Sequence, residues 1–196
     1  MGNSKPGIIG KKIISEGNFV RFVRTVYTDS SGKLREWESF ERINCNGIVA
    51  IVPVTDDNNV LLIRQFRPPV NGYVVEFPAG LNDKGETLEA AARRELIEET
   101  GYSAKEMVFL TEGPMSSGAS GEILTAFFAR RLEFKGIGER DETEDIEVLK
   151  VPMDKLDDTL SALRSEGDYV DLKIFGLMEL AKKFLQLQRS KKDLWF

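Results

Sequence analysis

An α+β fold is predicted, with a mixed β-sheet between helices and a smaller antiparallel β unit at the N-terminus. Three observations carry that reading. Residues 47–54 (GIVAIVPV) and 60–66 (VLLIRQF) are short continuous apolar runs, as expected of strands buried on both faces. Residues 155–165 and 171–188 repeat apolar side chains at helical spacing. Residues 19–43 are two apolar, β-branched stretches around a polar turn, which reads as a hairpin.

In chain order, residues 13–17 (IISEG) form a short strand and turn, and residues 19–27 and 34–43 form a hairpin about Asp29-Ser30-Ser31-Gly32. Composition shifts at residues 44–47, which divides the chain into an N-terminal β unit, residues 1–45, and a main domain, residues 46–196. The two buried strands flank a turn at residues 56–59, and Arg67-Pro68-Pro69 stops the second. Residues 73–77 make a further strand, and Pro78-Ala79-Gly80 turns the chain into a helix. That helix has Thr87 as N-cap, an apolar stripe of Leu88, Ala92 and Leu96, and Gly101 just past its end. Strands follow at residues 107–110, 123–132 and, after an acidic loop, 146–151. The closing helices present Leu156, Leu160 and Leu163, then Ile174, Leu177, Met178, Ala181, Phe184 and Leu185.

Composition narrows the chemistry. With 196 residues and 41% hydrophobic content the chain can bury a substantial core. A net charge of −5 without a basic cluster argues against nucleic acid as partner. No apolar run reaches membrane-spanning length and the N-terminus lacks the apolar core of a signal peptide, so a cytoplasmic location is expected with no membrane partner. Cys45 is the single cysteine, read as a buried structural thiol. There is no histidine, which excludes histidine bases and the usual zinc sites and leaves carboxylates for acid/base and metal work. Oxygen ligands of that kind favour Mg²⁺ or Mn²⁺.

The carboxylates gather in the predicted helix. Glu95 and Glu99 are four apart, so both leave one face and can share a divalent cation. Glu98 lies beside them, and Arg94 in the same turn can neutralise or orient a carboxylate that is not on the metal. Such a cation would bridge the phosphates of a diphosphate and polarise the P–O bond, with a base or water-orienting group still required. A second acidic cluster, residues 139–145, lies in a glycine-flanked loop suited to that task. Arg67, ending a strand, suits either a structural ion pair or a phosphate.

Gly80, Glu86, Arg94, Glu95, Leu96, Glu98, Glu99, Gly101 and Tyr102 stand at the spacing of the Nudix box, with Tyr102 in place of an aliphatic residue. The chain thereby resembles Nudix hydrolases and their fold. Residues 14–17, 37–42, 65–69 and 76–80 resemble, more narrowly, the ADP-ribose pyrophosphatase branch. That resemblance implies hydrolysis of ADP-ribose to AMP and ribose 5-phosphate, with Mg²⁺ or Mn²⁺, by a homodimer that exchanges its N-terminal β unit. It implies Phe19 of one subunit and Trp37 of the other around the adenine, Glu38 on its edge, and Arg42 and Arg67 on phosphate. By the same resemblance the metal ligands are the Ala79 carbonyl, Glu95, Glu99 and Glu144, with Glu142 as base; the last two roles are interchangeable at this level, and Glu98 and Arg94 complete the catalytic set. Ser117-Gly118 replaces the subfamily's Pro-Gly turn near the terminal ribose, which leaves Gly118 to form the turn and keeps a different sugar substrate, such as GDP-mannose or an ADP-hexose, as the alternative. A non-catalytic nucleotide sensor is the remaining alternative, disfavoured because the box is complete.

Overall fold

The computed structural model describes residues 5–136 and 145–193. The N-terminal strands β1 (Gly7–Glu16), β2 (Val20–Thr28) and β3 (Leu34–Arg42) form one antiparallel sheet in that order. The turn between β2 and β3 is built by Asp29, whose Oδ1 accepts hydrogen bonds from the Ser31 and Lys33 amides and the Ser31 hydroxyl. These bonds hold the Asp29 carboxyl well below the usual range, led by the Ser31 hydroxyl and then the Arg35 guanidinium. β1 is longer than the short strand expected at residues 13–17, because it pairs along the whole of β2 from Gly7.

The rest of the chain contributes β4 (Ile48–Pro53), β5 (Asn59–Arg67), β6 (Gly72–Glu76), β7 (Ala79–Leu81), α1 (Leu88–Thr100), β8 (Tyr102–Pro114), β9 (Ile123–Phe134), β10 (Ile146–Pro152), α2 (Leu156–Ser165), β11 (Tyr169–Val170) and α3 (Lys173–Asp193). The β structure resolves into two mixed four-stranded sheets, β7-β4-β9-β8 and β10-β5-β6-β11, whose parallel pairs are β4 with β9 and β6 with β11. All six residues of β4 are buried, and its alternation divides them between two cores. Val49 and Ile51 pack with Ala91, Ala92 and Leu96 of α1. Ile48, Ala50 and Val52 pack in the cluster that holds Leu156 and Leu160 of α2 and Ile174, Leu177 and Met178 of α3. One helix on one side and two on the other thus account for the unbroken apolar run.

Some expectations change. Residues 78–80 are not simply a turn, because residues 79–81 form β7 and pair antiparallel with β4, Ala79 opposite Ala50. A three-residue strand that follows a proline and has glycine at its centre has no detectable period. β11 escapes for the same reason. β8 starts at Tyr102 rather than 107, held by pairing with β9 and by an edge-to-face contact of Tyr102 with Phe134, 5.1 Å between centroids. Cys45 is half-buried, its thiol donating to the Gly47 carbonyl at 3.1 Å. No described helix is long and apolar enough to cross a membrane.

Both ends of α1 are fixed as expected. The Thr87 hydroxyl accepts from the Ala90 amide, and Gly101 sits at φ +78° with its amide donating to the Ile97 carbonyl. A Cβ at Gly101 would stand 2.8 Å from the Phe134 ring and 3.0 Å from the Gly136 backbone. Thr87→Ala is expected to destabilise the protein by about 1 kcal/mol and Gly101→Ala by at least about 1–2 kcal/mol, the order to be checked by urea unfolding.

Candidate active site

α1 brings its carboxylates against β7. The Glu99 side chain is 4% exposed as a residue and accepts the Ala79 amide at 2.9 Å. Glu95 packs over Gly80 so closely that a Cβ there would lie 1.9 Å from its carboxyl carbon. A strand residue sends its N–H and C=O to the same edge, so the Ala79 carbonyl leaves β7 on the edge that carries Glu99, away from β4. Oxygen donors therefore converge where the sequence expects a metal.

Arg94 holds this group together. Its Nη1 donates to Glu95 at 2.7 Å and Glu98 at 2.8 Å, while Nε and Nη2 share Glu86 Oε1 at 2.9 and 2.8 Å and Nη2 also reaches the Leu81 carbonyl at 3.0 Å. Burial alone would lower the pKa of this guanidinium, but Glu86, Glu98 and Glu95 outweigh it and raise the pKa above its usual value. Arg94 is thus a fixed cation within three carboxylates. Among the described residues no group of three metal-ligating side chains is close enough to hold an ion. Glu142 and Glu144, the expected base and fourth ligand, lie outside the described residues.

The two expected phosphate arginines are both in ion pairs. Arg67 donates Nε to Glu76 Oε1 at 2.7 Å and brings Nη2 to the same oxygen at 2.7 Å, while its side chain stays 40% exposed. Arg42 donates Nε to Glu122 at 2.6 Å. Glu38 pairs with Arg24 at 2.9 Å. The Trp37 indole donates to the Gly118 carbonyl at 3.0 Å, and the Phe40 amide donates to Ala119, so the loop at residues 115–122 joins β3 to the rest of the chain. Gly118 has open space at its Cβ position and sits within the turn at 117–119. Phe19 is 80% exposed and Trp37 half exposed. Phe19 precedes Val20, which pairs with Arg42, while Trp37 pairs with Thr25. Five strand residues at about 3.4 Å each therefore separate Trp37 from the Arg42 end of the hairpin, where Phe19 lies.

A family model described as NUDIX domain matches residues 46–171. The chain belongs to the NUDIX family. An ADP-sugar pyrophosphatase of Mus musculus is 42% identical over 113 residues, 52% of this chain and 52% of that protein, so the match spans about half of that relative. An ADP-ribose pyrophosphatase of Bacillus subtilis (strain 168) is 38% identical over 145 residues, 73% of this chain and 77% of that protein. A crystal structure of an ADP compounds hydrolase shares the fold with a TM-score of 0.78 at 25% identity, over 96% of this chain and 98% of that one. NUDIX hydrolases generally use divalent metal ions. The oxygen-only donor set at β7 and α1, and the Gly80 cradle that any Cβ would fill, fit such an ion.

Sequence reasoning did not assign Glu86 to Arg94, Glu76 to Arg67 or Glu122 to Arg42. Glu76 carried a signal, since it is a single charge closing the apolar strand YVVEF. The Gly80 contact predicts that Gly80→Ala leaves the NUDIX fold intact, because the atom it meets ends a flexible side chain, but displaces the Glu95 carboxylate. Calorimetry with Mn²⁺ is expected to show affinity reduced about 10–100-fold, with an unchanged circular dichroism spectrum.

Proposed function

We propose that this chain is a metal-dependent pyrophosphohydrolase of nucleoside diphosphate sugars, with ADP-ribose, cleaved to AMP and ribose 5-phosphate, as the leading substrate. The observation that carries this reading is the convergence of Glu95 and Glu99 on the β7 edge beside Arg94. Mg²⁺ or Mn²⁺ would be held by the Ala79 carbonyl, Glu95, Glu99 and Glu144, and when bound it supplies charge neutralisation for the diphosphate and activation of water. Arg94 holds Glu95 and Glu98 in place through hydrogen bonds from Nη1. Arg42 and Arg67 contact the phosphates through the parts of their guanidinium groups that Glu122 and Glu76 leave accessible. Glu142 takes the proton of the attacking water. Similarity to an ADP-sugar pyrophosphatase and an ADP-ribose pyrophosphatase supports this substrate class.

The enzyme acts as a homodimer with exchanged N-terminal β units. Phe19 and Trp37 lie far apart along one hairpin, so one chain cannot close both rings on a single base, whereas Phe19 from one subunit and Trp37 from another can. Glu38 then reads the base edge. Action in the cytoplasm, without nucleic acid or membrane partners, completes the proposal.

The substrate is tested by incubating ADP-ribose, ADP-glucose and GDP-mannose with Mg²⁺ and with Mn²⁺ and identifying products. ADP-ribose is expected to give AMP with the highest kcat/KM, and Glu99→Gln to lose at least about 100-fold while keeping its melting temperature. Preferential cleavage of GDP-mannose, releasing GMP, would replace the leading substrate by the alternative. The dimer is tested by mixing Phe19→Ala and Trp37→Ala chains, each expected to be weakly active. Exchange of subunits should restore one complete site per heterodimer and raise activity toward about a quarter of wild type, the value set by random pairing of equal amounts. No recovery despite demonstrated exchange would place both rings in structural roles.

A further inference from the structure

Resting on that functional reading, the inference concerns Gln65, an uncharged residue outside the box. Gln65 is 8% exposed, and its side-chain oxygen Oε1 is buried without a hydrogen-bond partner. An amide oxygen buried without a donor costs free energy. Among the described residues two other buried side-chain polar atoms lack a hydrogen bond, Arg24 Nε, which lies 3.5 Å from a Glu36 carboxylate oxygen, and Asn82 Oδ1.

The fold fixes what lies around it. On β5, Val60 and Leu62 face the core under α2 and α3, so Leu61, Ile63, Gln65 and Arg67 face the opposite side of the sheet. On β6, Val75 belongs to that same α2 and α3 core, so Glu76 lies on the face that Ile63 and Gln65 share and pairs opposite Ile63. Gln65 thus stands between Ile63 and Arg67, in the row that carries the Arg67–Glu76 ion pair. On its other flank it pairs with Ile146, the first residue of β10, where the chain returns from the acidic loop. Asn82 also has a buried, unpartnered carbonyl oxygen. It differs because its amide side chain donates to the Glu86 carbonyl and its backbone bonds to Gly47 and Asn46, which accounts for it as a brace of the loop before α1.

We propose that Gln65 is a substrate-binding residue whose Oε1 accepts a hydrogen bond from an O–H donor delivered with the nucleoside diphosphate sugar. A phosphate oxygen at Arg67 is itself an acceptor and cannot satisfy Oε1. The donor is therefore a hydroxyl of the sugar or a water carried with the diphosphate.

The experiment uses Gln65→Met, which keeps the shape and removes the acceptor, with Gln65→Leu as a second variant. Melting temperatures are expected to equal or exceed wild type, since an unpaired buried oxygen is lost. Calorimetric Kd values for ADP-ribose and for ADP are measured in EDTA, where no turnover occurs. Weakening of about tenfold for ADP-ribose with ADP unchanged identifies a sugar hydroxyl, whereas equal weakening of both identifies a water carried with the diphosphate; either result supports the inference. Affinities within twofold of wild type for both ligands in stable variants overturn it, as does a fall in melting temperature with unchanged affinity. If wild type cleaves no nucleoside diphosphate sugar, the functional reading itself fails, a result separate from any behaviour of Gln65.

Discussion

Several carboxylates on adjacent turns of one helix repel one another unless a cation stands among them. Here that cation is Arg94, bonded to Glu86, Glu95 and Glu98 and anchored on the Leu81 carbonyl. The rest of the site depends on this arrangement. Because Arg94 grips both the helix and the loop before it, α1 is tied to the segment that becomes β7, and Glu95 can press onto Gly80. Glu99, buried on the same helix, accepts the Ala79 amide. An edge strand and a helix are therefore locked together, and the placing of Glu95 and Glu99 beside β7 follows from that lock.

The core beneath serves the same end. β4 has no solvent face, so it fixes both the layer under α1 and the layer under α2 and α3. Its pairing with β7 sets where Ala79 and Gly80 stand, and its burial of Val49 and Ile51 under Ala92 and Leu96 sets the height of α1 above them. Displacing either partner by a fraction of a helical turn would separate Glu95 from Gly80. The small side chains at Ala91 and Ala92 let the helix approach closely.

Two further ion pairs, Arg67–Glu76 and Arg42–Glu122, follow a common plan. Each carboxylate is far less exposed than its arginine and takes the Nε edge of the guanidinium, which restricts a long side chain. The pairs also differ in what they join. Arg67 and Glu76 sit on neighbouring strands of one sheet, whereas Arg42 and Glu122 join β3 to the loop at residues 115–122, together with the Trp37 and Phe40 contacts to Gly118 and Ala119.

By itself the sequence determined whatever depends on local spacing. Helical periodicity, the Thr87 cap and Gly101 defined α1, and the spacing of Arg94, Glu95, Glu98 and Glu99 placed those groups together because residues one to four apart on a helix are neighbours wherever the helix lies. Continuous apolar runs likewise marked β4 and β5, since burial on two faces leaves no alternation. Only the tertiary structure decided the pairings between segments distant in the chain: β7 as an edge strand rather than a turn, Glu99 on the Ala79 amide, Glu122 on Arg42, and the isolation of Gln65 Oε1. Such contacts have no period or cap to announce them. They follow from which strand lies beside which, a choice made by the packing of all the apolar faces at once rather than by any single segment.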